Sequence, residues 1–453
     1  MSFPFLSLPL ELREAVYSLY FKPADRLVRN ESLESQGYYG GVYDFDFNLY
    51  KVNRQVYEES KRVWKRENVF VKIATPWPSA GMYRVYIMAE DGNEVLVNHI
   101  SSEGLVPIVC TSTRADVFTA HHALVQITAP FHQAVPEHTV VVLLDDLHLF
   151  TQTWYYSALS YPMLNDRLST AFVLGDPDAT PGDTTPAGSK LSIALQKRLL
   201  LPFEAVKGLY HTEISNYAPD VAQELKRRMA IPIPSLQHCC ESAHNLMVQG
   251  NVLLPSNPQE SLESYIKAFR AIHILIHNRT RRVLADVFFH EGIESGRFAG
   301  QTGMTVRVVL RLKLVARVIL AYLKLGKWDD AAFWGMRSIR IMRESMDTDF
   351  EDFLSEFIGG EDVALIYVRT GVAFWSMESE MKQYDGEELA SSEKLFQTAV
   401  RYLKDGRKGE VRRELEGFGV PRSVLVCFKD EVVDDKSTMG VDGSAYGDSD
   451  AGV

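Results

Sequence analysis

Cysteine is scarce in this chain of 453 residues: there are four, two of them adjacent at Cys239 and Cys240. That is too few for a disulfide framework and fits a reducing compartment. Basic charge is short as well. Lys and Arg number 48 against 59 Asp and Glu, a formal charge of -11, which argues against a protein that coats nucleic acid. No apolar run reaches the roughly 18 residues that a membrane span requires. The N-terminus, MSFPFLSLPLELREAVYSLYF, has no basic leading stretch and meets Glu11 and Arg13 just after Leu8, so no secretory signal is expected. These absences lead to the expectation of a cytoplasmic or nuclear protein, with neither a membrane nor nucleic acid as partner.

Catalytic signatures are missing too. No GxSxG or GxGxxG occurs, and Gly182 to Gly188 fails as a P-loop because its spacing is one residue too long and Ser189 stands where Lys belongs. Asp145 and Asp146, with His148, end an apolar run read as a strand. Adjacent strand residues point to opposite faces, so the two carboxylates are not expected to share a site. His238, Cys239, Cys240 and His244 are zinc-type ligands, but no second Cys/His pair follows, and buried, unliganded thiols are expected. His273 and His277 lie four apart without the Glu that a zinc hydrolase places between them, and are expected to flank a core stripe. No catalytic, cofactor-binding or metal-ligating residue is therefore expected.

What remains is the composition of a folded protein, 46% hydrophobic and 24% charged, long enough for roughly two to four domains. In residues 1–75, Leu12, Val16, Leu19 and Tyr20 recur at helical spacing and predict a helix from Pro9 to about Phe21. A second amphipathic helix is predicted over Leu49–Asn68, with Leu49, Val52, Val56, Ser60 and Val63 on one face. Residues 80–215 change to short runs rich in Val, Ile, Thr and aromatics, among them MYRVYIMA, NEVLVNHI, HHALVQITAP and HTVVVLLDDLHLF, with a turn at Asp91-Gly92. Residues 175–189 concentrate Gly, Pro, Asp and Thr and predict an exposed loop. A short helix and the last strand of this region are predicted over Leu199–Ile214. Residues 219–416 read as helix after helix, and residues 434–453 as a disordered acidic tail. The expected fold class is α+β: an N-terminal helical module, a mixed α/β domain, a C-terminal α-helical array and the tail.

Within the helical region, Val308, Leu312, Val315, Ile319 and Tyr322 form one stripe. Gly326 is predicted to end that helix in a left-handed conformation, and Trp328 opens the next, with Asp329 and Asp330 in its first turn. Ala331, Gly335 and Ser338 then fall on one face, where small residues let paired helices approach closely. The same placement recurs as Ser261, Tyr265 and Ala268, and as Ser392, Phe396 and Ala399, each downstream of a helix bearing a glycine, Gly250 or Gly371. These residues, spread over about 170 positions, resemble the tetratricopeptide family. The resemblance implies stacked helical pairs presenting a groove.

The N-terminal stretch carries a second resemblance. Leu8-Pro9-Leu10-Glu11-Leu12-Arg13, followed by Val52-Asn53-Arg54-Gln55-Val56-Tyr57-Glu58-Glu59 and Asn68-Val69-Phe70, is similar to the F-box-like and two-ExR modules of fungal proteins. Glu11-Leu12-Arg13 would be the first ExR; the second departs, reading Glu59-Ser60-Lys61. The resemblance implies docking onto a Skp-type adaptor of a ubiquitin ligase through Leu8, Pro9, Leu10 and Leu12. The rest of the chain would choose a substrate protein. The expected function is thus a non-enzymatic protein-protein interaction adaptor. The alternative is a chaperone-associated protein gripping acidic peptide tails. Residues 279–317 carry eight Lys or Arg against three acids, with Arg307 and Arg311 on one helical face, and Asn251 occupies the family's clamp position. The Lys that the clamp needs is Met247, which ranks this alternative second.

Overall fold

A computed structural model of the chain describes residues 4–36, 38–76, 84–88, 94–98, 106–131, 138–178, 187–277, 279–344, 360–377, 391–403 and 406–429. The chain forms two compact units, Met1–Ser235 with Leu284–Phe288, and Leu236–Val283 with Phe289–Val453. The fold is mixed α and β. The Asp91-Gly92 turn and the acidic tail lie outside the described residues.

In the first unit, α1 (Leu10–Tyr20) begins after Pro9, where a missing N–H costs nothing. Strand β1 (Leu27–Val28), helix α2 (Glu31–Ser35) and strand β2 (Val42–Tyr43) follow, β1 and β2 pairing antiparallel. Helix α3 (Arg54–Glu67) starts five residues later than predicted, because the Asn53 side chain accepts the Val56 N–H at 2.9 Å and caps it. Val52 is left outside the helix and 62% exposed, while Val56, Ser60, Val63 and Trp64 make the buried face.

The chain then enters a sheet. Its elements are β3 (Phe70–Thr75), the separate hairpin β4 (Arg84–Met88) and β5 (Glu94–Asn98), β6 (Cys110–Thr111), α4 (Ser112–Asp116), β7 (Ala123–Thr128), β8 (His138–Leu143), α5 (Leu147–Ser160), β9 (Ser169–Leu174), α6 (Ala187–Lys190), α7 (Ile193–Leu200), β10 (His211–Ser215) and α8 (Pro219–Met229). Six strands pair in the order β10-β9-β7-β3-β8-β6. Strand β3 runs parallel to β7 and antiparallel to β8, from Phe70↔Leu143 to Thr75↔His138.

Both faces of this sheet are covered at β3 and β8, which is why β8 reads as a nearly unbroken apolar run, whereas β7 and β9 alternate buried positions with more exposed ones. Val140 and Val142 join the core made with Leu147, Phe150, Trp154, Phe172, Phe203 and Leu225. Val141 and Leu143, pointing the other way, pack with Phe21, Phe45, Trp64 and Phe70. Phe21, Phe45 and Trp64 precede the sheet in sequence, so residues 1–75 and the strands after them share one core. The run HTVVVLLDDLHLF is strand only as far as Leu143, turning through a 3-10 segment (Leu144–Asp146) into α5. Of the loop predicted over residues 175–189, the last residues form α6, with Ala187 buried; residues 179–186 lie outside the described ones.

The second unit comprises α9 (Leu236–Leu253), α10 (Pro258–Ala271), the hairpin β11 (Ile274–His277) and β12 (Thr280–Val283), then, after the short α11 (Asp286–Phe289), which belongs to the first unit but for Phe289, α12 (Gly303–Lys324), α13 (Trp328–Glu344), α14 (Gly360–Ser376), α15 (Ser392–Tyr402), α16 (Lys408–Gly417) and α17 (Arg422–Leu425). Helix α9 packs on α10, α12 on α13 and α14 on α15; α10 also meets α12, and α12 and α13 both meet α14. The turn after α12 is as predicted: Gly326 takes φ +67°, the Lys327 N–H reaches the Tyr322 carbonyl at 3.0 Å and the Gly326 N–H reaches Leu323 at 3.0 Å. The hairpin is unexpected inside a region read as wholly helical. Two left-handed residues, His273 (φ +56°) and Ala285 (φ +58°), flank it. Gly335 also differs from its predicted role, since a Cβ there would sit 1.9 Å from Thr370 Oγ1. The close approach it permits is therefore to α14, not to α12.

Candidate interaction surfaces

The first surface is built by an ion pair. Arg13 on α1 is 8% exposed, and burying a guanidinium is tolerable only with partners. Its Nε and Nη2 donate to the two carboxylate oxygens of Glu59 on α3 at 2.9 and 2.7 Å, and its Nη1 donates to the Leu8 carbonyl. The Tyr17 hydroxyl and the Gln55 amide also donate to Glu59, at 3.1 and 2.9 Å. The Arg of the first ExR is therefore joined to the glutamate that opens Glu59-Ser60-Lys61. Arg13 hydrogen bonding holds the Glu59 carboxyl down at about 2, against an ordinary 4.5. A carboxyl depressed by folding contributes stability that is complete above pH 4.5 and is lost as the pH falls towards about 2. Thermal melts of this unit should fall across that window in the native chain, and Glu59→Gln should flatten the fall.

Because Arg13 and Tyr17 occupy the buried face of α1, its apolar stripe turns outward. Leu12, Val16 and Leu19 are 53%, 45% and 70% exposed, and at 100° per residue they lie within about 60° of one another. Of the four residues implied to dock, only Leu12 belongs to this stripe. Leu8 is half-buried with its carbonyl held by Arg13, Pro9 is exposed at the start of α1, and Leu10 is exposed on another side of it. Val16 and Leu19 belong to the surface, and the sequence reading missed them. The signal was the parallel pair Arg13 and Tyr17, also four apart, with Glu59 as their common acceptor.

Of the residues read as a peptide groove, two are used internally. Asn251 Oδ1 accepts from the Tyr265 hydroxyl at 2.9 Å and from Arg317 Nε at 3.1 Å. Arg307 is 2% exposed, stacks 4.3 Å over the Phe289 ring and donates to the His273 carbonyl, so it offers no charge to a peptide. Arg311 is half-buried, and burial lowers its pKa.

The groups weighed for chemistry are also engaged. Asp145 and Asp146 sit in a 3-10 turn, not a strand: Asp146 accepts from the Tyr43 hydroxyl at 2.8 Å, and Asp145 pairs with Arg198 at 3.0 Å. Cys239 Sγ lies 3.7 Å from His273 Nε2, but burial drives the thiol up to about 11 and the imidazole down to about 4, so both stay neutral near pH 7. Among the described residues, no group of three or more His, Cys, Asp and Glu side chains is placed to hold a metal, and no helix is long and apolar enough to cross a membrane. A cavity of about 750 Å³ in the first unit is lined by Val42, Phe45, Phe47, Trp64, Val117 and Phe118. Set against known proteins, the chain matches no protein-family model, no curated protein and no solved structure.

Proposed function

We propose that this protein is a non-enzymatic adaptor, an F-box-like substrate receptor of a Skp-cullin-type ubiquitin ligase acting in the cytoplasm or nucleus. The observation that carries the reading is the outward stripe of Leu12, Val16 and Leu19. The Arg13–Glu59 clip and Tyr17, packed on Val56 and Val63, fasten one face of α1 to the rest of its unit, and three large side chains on another face stay open for a partner. The second unit, as a tetratricopeptide-like array, would hold the substrate. This part of the proposal is supported by the successive pairs α9/α10, α12/α13 and α14/α15, and by one contact made twice. A Cβ on Gly250 would meet the Tyr265 ring at 2.4 Å, and one on Gly371 the Phe396 ring at 2.9 Å, so in each pair a glycine accepts an aromatic ring from the following helix.

The test is the triple substitution Leu12→Glu, Val16→Glu and Leu19→Glu. All three positions are exposed, so the substitutions should change folding stability by no more than about 0.5 kcal/mol each. Recovery of a Skp-type adaptor with the purified chain should fall at least about tenfold, the equivalent of 1.4 kcal/mol. Undiminished recovery rejects the reading.

A further inference from the structure

Arg114, on α4, is an exposed cation whose side chain has no ion pair or hydrogen bond among the described residues, and it lines the cavity of about 750 Å³ in the first unit. Small-molecule sites run from roughly 300 to 1,000 Å³ and set a few polar groups in aromatic and apolar walls. This cavity is made in that way. Phe45 and Phe47, just after β2, meet Trp64 of α3 edge-on, with ring centroids 6.0 and 5.4 Å away. The buried Phe70 ring of β3 lies 4.8 Å from Trp64 and 5.2 Å from Phe118, and so holds two of the lining rings in place. Between β6 and the body of α4, Ser112 takes φ +53°, a conformation uncommon outside glycine, and the helix then brings Arg114 to the lining. Val117, 77% exposed, and the exposed Phe47 line the same cavity, and an occupant would take that apolar surface out of water.

Two further groups on the lining define the ligand. Asp44 is exposed and its carboxylate likewise has no partner among the described residues, so the cavity carries one charge of each sign. A dianion would face Asp44 with too little positive charge to answer it, whereas a single carboxylate matches the planar fork of one guanidinium. Cys110 is half-buried; burial raises its thiol pKa and the Arg114 charge draws it back, as expected of neighbours on one wall. We propose that this cavity binds a small aromatic carboxylate, its ring among Phe45, Phe47, Trp64 and Phe118 and its carboxylate on Arg114. A ligand that also bears an ammonium would answer Asp44 as well. The site lies apart from the α1 stripe and needs no partner protein, so it stands or falls separately from the adaptor reading.

The test is isothermal titration and thermal unfolding of the full chain with indole-3-propionate, L-tryptophan, tryptamine and octanoate. Indole-3-propionate should bind saturably and raise the melting temperature of the first unit by roughly 5–10 °C at about a hundredfold excess over Kd. Tryptamine, which lacks the carboxylate, and octanoate, which lacks the ring, should each bind at least about tenfold more weakly. Arg114→Gln should weaken indole-3-propionate by at least about tenfold while leaving the melting temperature without ligand unchanged, because the side chain has no partner to lose. Saturating ligand should also slow alkylation of Cys110, followed by peptide mass, and leave the exposed Cys427 unaffected. Tighter binding of L-tryptophan than of indole-3-propionate supports the site and assigns it to an amino acid. Equal or weaker binding supports it with a simple aromatic acid as the ligand. Binding of neither acid, equal binding of tryptamine or octanoate, undiminished affinity in the Arg114→Gln chain, or Cys110 left unprotected overturns it.

Discussion

Replacing Glu414 with alanine should destabilise the second unit by about 3–5 kcal/mol, read as a lower urea midpoint for that unit's transition. Arg369, on α14, is 6% exposed, and its Nε and Nη2 donate to the two Glu414 oxygens at 2.7 and 2.9 Å. Its Nη1 donates to the Ala316 carbonyl at 2.7 Å, so one guanidinium ties α12, α14 and α16 together. Burial alone would raise the Glu414 carboxyl, but the Arg369 charge and hydrogen bonds hold it below its ordinary value. Removing Glu414 leaves a cation in the interior with one carbonyl hydrogen bond and only the weaker pull of the Asp362 carboxylate. Arg369→Met in the Glu414→Ala background, which removes the stranded charge while keeping an apolar stem, should recover a large part of the loss. No recovery would mean that the cost lay in packing and not in the unpaired charge.

Gly335→Ala should also be destabilising, by about 1–3 kcal/mol, although alanine is by propensity the better helix residue by about 1 kcal/mol. The new Cβ would fall 1.9 Å from Thr370 Oγ1 and 2.8 Å from its Cβ and Cγ2, and Thr370 Oγ1 is already fixed by donating to the Ile366 carbonyl at 2.6 Å. Helices α13 and α14 would have to separate. Thr370→Ala in the same chain should restore most of the loss, and a coupling near zero between the two substitutions would contradict the contact. Gly417→Ala is the control: nothing lies within 4 Å of its added Cβ, so propensity alone acts and stability should hold or rise.

The parts of this fold that were legible in sequence are those governed by local chemistry. Gly326 and Trp328 mark a helix stop and restart that the backbone obeys, and the Val56, Ser60 and Val63 face of α3 is buried as its periodicity implied. What escaped depended on partners distant in sequence. The α1 stripe looks from its spacing like a core face, and it is turned outward by the pairing of Arg13 with Glu59 and the packing of Tyr17 on Val56 and Val63. Hairpin β11/β12 is a short apolar run and a basic one within helical surroundings, with too few residues for period to separate strand from helix. Arg307 and Arg311 share a helical face in sequence, but burial divides them, the first inside against Phe289 and the second half-buried.

The position of β3 in its sheet has a bearing on how this protein is made. Its partners β7 and β8 both come later in the chain, after the excursion through the β4/β5 hairpin. A growing polypeptide therefore carries the run Phe70–Thr75 with unmatched main-chain groups on both flanks until translation has passed Thr128, and on one flank until it has passed Leu143. Helices α9 and α10 meet across a connection of only a few residues, so their association has little loop to close. During synthesis the first unit is thus the one whose apolar central strand waits longest for its partners.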